Sequence, residues 1–258
     1  MKKKVLIIAL AIILGASMVL VGCGNGQEPA PAPEKPAGLA AEAAGVKWTQ
    51  DYILDPKPMV FKDPFLELLG QVDGPIPYYY SEVVKLSGHS CGATAGAWTL
   101  VEKAMEALYP GDEIPVRGDI KITMPGPPDQ YYIGVFGDIF TYLTGAAAES
   151  GFPGTAFPEN SNRRNKMIYP DEPTADLFPL VNYIFERTDT GKKVSVGYNL
   201  GMVTPLSSDE MTEFQKQLTA GTISDTDRAA WEQWWNDRAE NTFLNQAQPG
   251  FFRVKVLE

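Results

Sequence analysis

The sequence predicts an α+β fold: an antiparallel or mixed sheet packed with two main helices, followed by a helical C-terminal extension. Apolar residues recur at helical spacing in Ala93–Leu108 and Tyr131–Ala148, the pattern of amphipathic helices. Between residues 181 and 198 apolar residues alternate with polar ones on both sides of a turn at Thr188–Lys192, which indicates a β-hairpin. A chain of 258 residues with both patterns fits one domain with an appendage.

The chain begins with a segment typical of a bacterial lipoprotein signal peptide, residues 1–23. Lys2–Lys4 form a positive start, Val5–Val21 form an apolar run, and Leu20-Val21-Gly22-Cys23 matches the lipoprotein signal-peptidase box. We therefore expect Cys23 to be acylated, by palmitate or a similar chain, and to anchor the protein on the extracytoplasmic side of the cell membrane. The alternative is an uncleaved anchor, because the apolar run approaches the length of a spanning helix.

Domain boundaries follow from changes in composition. Residues 24–46 are rich in Pro, Ala and Gly without an aromatic residue, so we expect a disordered tether that buries no core. Residues 47–205 carry the predicted α+β domain. Residues 206–258 add C-terminal helices and a final strand, which we expect to pack on the same domain.

The charge balance argues against a nucleic-acid partner. The chain has 22 Lys and Arg against 32 Asp and Glu, a formal net charge of −10. Removal of the signal peptide, which holds three lysines and no acid, makes the remaining chain more negative. Binding to nucleic acid needs a clustered basic face, so the function classes left are small-molecule, metal or protein binding and catalysis.

The elements between the two main helices and at the C-terminus are also visible in the pattern. Val116–Met124 alternates as a half-buried strand. A capping box at Ser207–Glu210 opens a helix that reaches about Leu218. Ser224–Asn241 predicts a further helix, whose tryptophans at positions 231, 234 and 235 we expect to face the core. Phe251–Leu257 predicts the last strand.

The candidate site lies directly before the first main helix. His89 is the only histidine, and Cys91 is the only cysteine besides Cys23. A helix N-terminus favours the thiolate form of a cysteine, which binds metals, and a nearby imidazole can share the ion. Two ligands are too few for a structural zinc site. Asp138 is the best third ligand, because an acid within an apolar helix needs a partner, so we predict zinc or iron at His89, Cys91 and Asp138.

Three other interpretations stay open. Cys91 could be the nucleophile of a thiol enzyme, with His89 as its base. The protein could be a non-catalytic module that binds a small molecule or a protein through the aromatic groups Tyr78–Tyr80 and Trp231–Trp235. Cys91 could also be a small apolar side chain without chemistry.

The stretch Val83–Gly92 reads Val-Val-Lys-Leu-Ser-Gly-His-Ser-Cys-Gly. It resembles the signature of the FmdE family of formylmethanofuran dehydrogenase components, His-Gly-His-x-Cys-Pro-Gly before a long helix. The resemblance continues in the family's order through Val116–Met124, Gly137-Asp138-Ile139 and Thr190-Gly191-Lys192, and it covers Tyr78–Tyr198. It implies an α+β core, a homodimer as one oligomeric state to expect, and a metal site at the histidine and cysteine with the family's aspartate at position 138.

The match to the family is incomplete at its ligand positions. Ser87 stands at the first motif histidine, Gly92 is followed by Ala93 without the family's proline, and the further family cysteines align near Val135 and Ala146. The family's oxidation reaction is cytoplasmic, whereas this chain has a lipoprotein signal. The resemblance therefore implies the fold and a reduced metal site in a membrane-anchored lipoprotein, and it does not imply the reaction.

Overall fold

The computed structural model describes residues 45–175, 177–203 and 209–257, without the side chain of residue 210. The predicted signal peptide with Cys23, the predicted tether up to residue 44 and the two serines of the predicted capping box lie outside this range. Within it, helices and two sheets share one fold, which confirms the predicted α+β class. Lys47–Glu258 forms one compact unit. Among the described helices, none combines the length and the apolar character needed to cross a bilayer.

We number helices and strands in chain order. The strands are β1 (Met59–Phe61), β2 (Ile76–Tyr78), β3 (Ile120–Thr123), β4 (Met167–Ile168), β5 (Leu180–Arg187), β6 (Lys192–Asn199) and β7 (Phe252–Leu257). The helices are α1 (Pro64–Leu68), α2 (Tyr80–Ser87), α3 (Gly92–Leu108), α4 (Ile133–Thr144), α5 (Asp209–Ala220) and α6 (Asp225–Leu244). Short 3-10 helices cover Asp51–Ile53, Glu159–Ser161 and Leu200–Met202.

The main sheet has five strands in the order β4-β3-β5-β6-β7. Strands β3 and β4 are parallel and the other pairs are antiparallel, so the sheet is mixed. The predicted hairpin is confirmed as β5–β6, in the register that pairs Tyr183 with Val196 and Phe185 with Val194. One face of this hairpin is fully buried because its alternate residues are apolar. A separate small sheet pairs β1 with β2.

Helices α3 and α4 cover the buried face of the sheet, as the sequence predicts for its two main helices. The rings of α4 pack into the hairpin: Phe140 meets Tyr183 edge-on at 5.2 Å, and Phe136 stacks on Tyr183 at 5.4 Å. Aromatic pairs of this geometry add to the stabilisation from area burial. Helix α3 also packs against β6 and α6, so the C-terminal extension shares the core with the preceding region.

Two predicted elements are shorter in the structure. Helix α4 ends at Thr144 because Gly145 adopts a left-handed φ of 78°, which terminates a helix. Strand β3 begins at Ile120, after Gly118 with φ 94°. Val116 instead forms a parallel bridge with Lys62.

Candidate functional site

A cavity of about 540 Å³ lies at the N-terminus of α3 and has both His89 and Cys91 in its wall. Five separate segments enclose it, and most of the lining is apolar or aromatic. The other lining residues are Gly92, Ala93, Tyr132, Phe178, Leu200, Gly201, Val203, Trp235 and Arg238. Arg238 is the only one of these lining residues with a permanent charge, and there is no carboxylate among them.

The backbone at Cys91 explains why the thiol is presented at this place. Gly88 ends α2 with a left-handed φ of 72°, and Cys91 then caps α3 in an extended conformation. The Cys91 amide donates to Thr94 Oγ1 at 2.9 Å, and the Thr94 hydroxyl donates to the Cys91 carbonyl at 3.0 Å. The first bond satisfies an amide that a helix start leaves without a backbone partner, and the Cys91 carbonyl also accepts from the Ala95 amide at 3.0 Å. The thiol forms no disulfide, is half-buried and lies 3.9 Å from Thr94 Oγ1.

Ser90 lies between His89 and Cys91, in the loop of residues 88–91 that connects α2 to α3, and its side chain is buried. Two hydrogen bonds of Ser90 connect this loop to the rest of the fold. The Ser90 Oγ lies 2.7 Å from the hydroxyl of Tyr80, and the Ser90 carbonyl accepts a hydrogen bond from Trp235 Nε1 at 2.8 Å. Burial holds the pKa of Tyr80 well above its ordinary value of 10.0, and the Ser90 and Thr94 hydrogen bonds oppose this shift. The neutral phenol therefore anchors the loop on one side and α6 anchors it on the other.

His89 is exposed at the mouth of the cavity. Its Nδ1 lies 3.1 Å from the Ser87 carbonyl. A carbonyl can only accept, so this bond requires the hydrogen on Nδ1 in the neutral ring and leaves a lone pair on Nε2. The ring centroid lies 6.0 Å from that of Trp235. In this tautomer, Nε2 is available as a hydrogen-bond acceptor or as a ligand.

Arg238 brings a buried cation to the same cavity. The residue is 6% exposed, and its guanidinium carbon lies 5.3 Å and 5.6 Å from the ring centroids of Trp234 and Trp235. Both distances are within the range of cation–π attraction. Burial lowers the pKa of Arg238, while attraction to a Cys91 thiolate opposes the shift. An arginine side chain nevertheless stays charged at physiological pH.

Small residues at the start of α3 let other groups approach it closely. The Tyr198 hydroxyl donates to the Gly92 carbonyl at 2.8 Å. A Cβ on Gly96 would overlap the Tyr198 ring, and one on Gly92 would lie 2.7 Å from Val203 Cγ1. The space that glycine leaves is therefore filled by the hairpin and by the cavity wall.

Asp138 lies on an exposed position of α4 and does not line the cavity. Burial raises the pKa of Tyr169, with a smaller contribution from Asp138, so the carboxylate is near β4. The structure thus brings His89 and Cys91 together and leaves Asp138 elsewhere. Over the described ranges, no group of three or more His, Cys, Asp and Glu side chains is arranged to hold a metal ion.

Two residues of α6 contribute to the cavity, and only one of them, Trp235, belongs to an aromatic group for which the sequence leaves a binding role open. The tryptophans of this helix are predicted to face the core, but all three are only half-buried and pack on one another. Trp235 lines the cavity, and so does Arg238, which is not among the predicted site residues. A signal is present, because Arg238 follows Trp234 and Trp235 by four and three residues, which places the three on one helix face.

No protein-family model, curated protein or solved structure matches this chain at a significant level. The resemblance to the FmdE family, with the homodimer that it implies, therefore stays a prediction, and the proposed function rests on the cavity.

Proposed function

We propose that this chain is a lipid-anchored extracytoplasmic binding protein whose ligand is a metal ion carried in an organic chelate or cofactor. The observation that supports the proposal is the position of His89 and Cys91 in the wall of one cavity of about 540 Å³. Imidazole and thiolate suit zinc and iron. The anchor is the predicted acylated Cys23.

The donor set favours a chelated metal over a bare ion. His89 Nε2 and Cys91 Sγ supply two ligands, whereas zinc sites use three or four protein ligands. An organic ligand would supply the remaining donors. The rings of Tyr132 and Phe178 and the side chain of Leu200 line the cavity, and walls of this kind bury the apolar body of a cofactor.

Porphyrins offer a direct test, because the same macrocycle exists with iron, with zinc and without a metal. We expect the full-length chain in detergent to bind haemin or zinc protoporphyrin more tightly than metal-free protoporphyrin. His89→Ala and Cys91→Ala should remove this preference. Asp138→Asn is the matched control and should retain it. Equal affinity for all three macrocycles, unchanged by the two alanine variants, would contradict the proposal.

The anchor has its own test. Cells that express the chain and are fed labelled palmitate should incorporate the label, and Cys23→Ser should abolish the incorporation. The wild-type chain should sediment with membranes, and added protease should degrade it on intact spheroplasts. If the Cys23→Ser variant still incorporates the labelled palmitate, the lipid is attached at another residue.

A second candidate is a module that binds an organic molecule without a metal. It is favoured by the apolar lining of the cavity. It is also favoured because His89 and Cys91 supply only two ligands, fewer than a protein metal site uses. It predicts that metal-free protoporphyrin binds as tightly as haemin and that His89→Ala has no effect on the affinity. The porphyrin series therefore separates the two candidates in one experiment.

The thiol-enzyme alternative has one observation in its favour, the buried cation of Arg238 in the same cavity as Cys91. A cation near a cysteine favours the thiolate, which is the nucleophile. The pH profile of alkylation of Cys91, compared between wild type and Arg238→Gln, tests this alternative. If Cys91 is alkylated at the rate of a simple thiol in both proteins, the thiol-enzyme alternative is wrong.

A further inference from the structure

We propose that the ligand of the α3 cavity is a planar organic molecule with at least one carboxylate, which Arg238 binds. This inference uses the cavity of the proposed function as the binding site, but it does not depend on a metal. Its basis is the charge and shape of the wall that α6 contributes.

The first step is the sign of the charge. The chain is acidic, with a formal net charge of −10, yet the described residues that line this cavity include Arg238 and no Asp or Glu. Among those described residues the guanidinium is the one group with a permanent charge, and its positive charge repels cationic ligands and attracts anions. The cavity therefore favours an anion.

The second step is the placement of the cation. Trp234 and Trp235 flank the guanidinium, and the Trp235 indole is itself fixed by its bond of 2.8 Å to the Ser90 carbonyl. A guanidinium that is pre-oriented in this way loses little entropy when it binds, and its planar donors match a carboxylate in bidentate geometry.

The third step is the helix end. Gly92 and Ala93, the first two residues of the 17-residue helix α3, also line the cavity. The N-terminus of a helix carries partial positive charge and attracts anions. The helix end and Arg238 therefore act in the same direction from two elements that are distant in sequence.

The fourth step is the shape of the ligand. The rings of Tyr132, Phe178 and Trp235 line the cavity together with Leu200 and Val203. Aromatic walls favour flat ligands, because stacked or edge-on ring contacts need a planar partner. A planar body with a carboxylate at its edge satisfies both the apolar wall and the cation.

Haemin and its dimethyl ester test this inference, because they share the metal and the macrocycle and differ in the charge of the carboxylates. We expect the full-length chain in detergent to bind haemin about tenfold to a hundredfold more tightly than the ester, the range for a hydrogen bond between charged groups. Arg238→Gln should lose this ratio, and Arg238→Lys should restore part of it. Arg253→Gln, on the exposed edge strand β7, is the matched control and should keep the ratio.

The ratio of the two affinities within one variant cancels any general loss of folded protein. A wild-type chain that binds acid and ester equally, or an Arg238→Gln variant that keeps the ratio, overturns the inference. A wild-type chain that binds neither probe overturns it as well, because the cavity is then no site for a planar carboxylate. The proposed function fails separately, through affinities that do not change in the His89→Ala and Cys91→Ala variants.

Discussion

Gly96 is the position at which the packing of α3 on the sheet can be tested most directly. A Cβ on Gly96 would lie 2.6 Å from Cζ and 2.8 Å from Cδ1 of Tyr198. Tyr198 cannot withdraw easily, because its ring is fully buried, its hydroxyl donates to the Gly92 carbonyl and its ring stacks on Phe252 at 4.8 Å. The substitution Gly96→Ala therefore forces a rearrangement of the core.

The net effect of Gly96→Ala combines three contributions. Overpacking a buried site costs about 1–3 kcal/mol, and loss of the Tyr198 hydrogen bond costs about 1 kcal/mol. Alanine regains about 1 kcal/mol over glycine as a helix former. We expect the free energy of unfolding to fall by about 1–3 kcal/mol, which corresponds to a decrease in Tm of about 2–12 °C for a domain of this size.

Urea unfolding followed by tryptophan fluorescence measures this change. Gly92→Ala is the control on the same helix, because the one close contact of its Cβ would be the end of the half-buried Val203 side chain, which can move, while the Arg238 carbonyl and Thr242 Oγ1 lie at ordinary contact distances of 3.5 Å and 3.7 Å. We expect it to cost less than half as much as Gly96→Ala. A Gly96→Ala protein at least as stable as wild type would show that the α3–Tyr198 contact is looser than described, and the reasoning would be refuted.

Three further predictions concern charged and phenolic groups. Asp63 is buried and accepts from Arg117 at 3.1 Å and Arg163 at 2.9 Å, so Asp63→Asn should lower the free energy of unfolding in urea by about 3–5 kcal/mol. Burial, with a smaller contribution from a neighbouring glutamate, raises the pKa of Glu102 above 4.5. Its ionisation therefore destabilises the fold, and Glu102→Gln should raise the free energy of unfolding near neutral pH but leave it unchanged below pH 4.5. Burial raises the pKa of Tyr132 from 10.0 to about 12. The stability linked to this proton is complete below pH 10 and is lost as the pH rises through about 12, so Tyr132→Phe should flatten that part of the stability curve measured by urea unfolding.

The parts of the fold that the sequence predicts well are those with a regular apolar period. Helix α3 matches the predicted Ala93–Leu108 within one residue, and the β5–β6 hairpin matches its predicted alternation. In both, one face is fully buried, so the pattern is imposed by packing over many residues. The end of α4 is predicted less accurately, because Gly145 stops the helix while the apolar residues continue to Ala148.

The residues of the candidate site also differ in how well the sequence predicts their location. His89 and Cys91 are neighbours in sequence, so their common location requires no knowledge of tertiary structure. Asp138 follows from the rule that an acid in an apolar helix needs a partner, but the apolar period of α4 leaves this position on the exposed side. Trp235 joins the loop at Ser90 across 145 residues, and no local pattern contains such a contact.

The position of α6 makes the C-terminal extension part of the candidate site. The predicted resemblance to the FmdE family ends near Tyr198, and the part of the chain that it covers lacks Trp235 and Arg238 of the cavity wall. Trp235 and Arg238 are supplied by α6, and the bond from Trp235 to Ser90 fixes the loop that carries His89 and Cys91. The core thus contributes His89 and Cys91, while the extension contributes the charged side chain and one aromatic side chain of the cavity wall. Selection of a ligand in the proposed function therefore depends on residues outside the region that carries the family resemblance, and chains that share the core but differ in the extension should differ in what they bind.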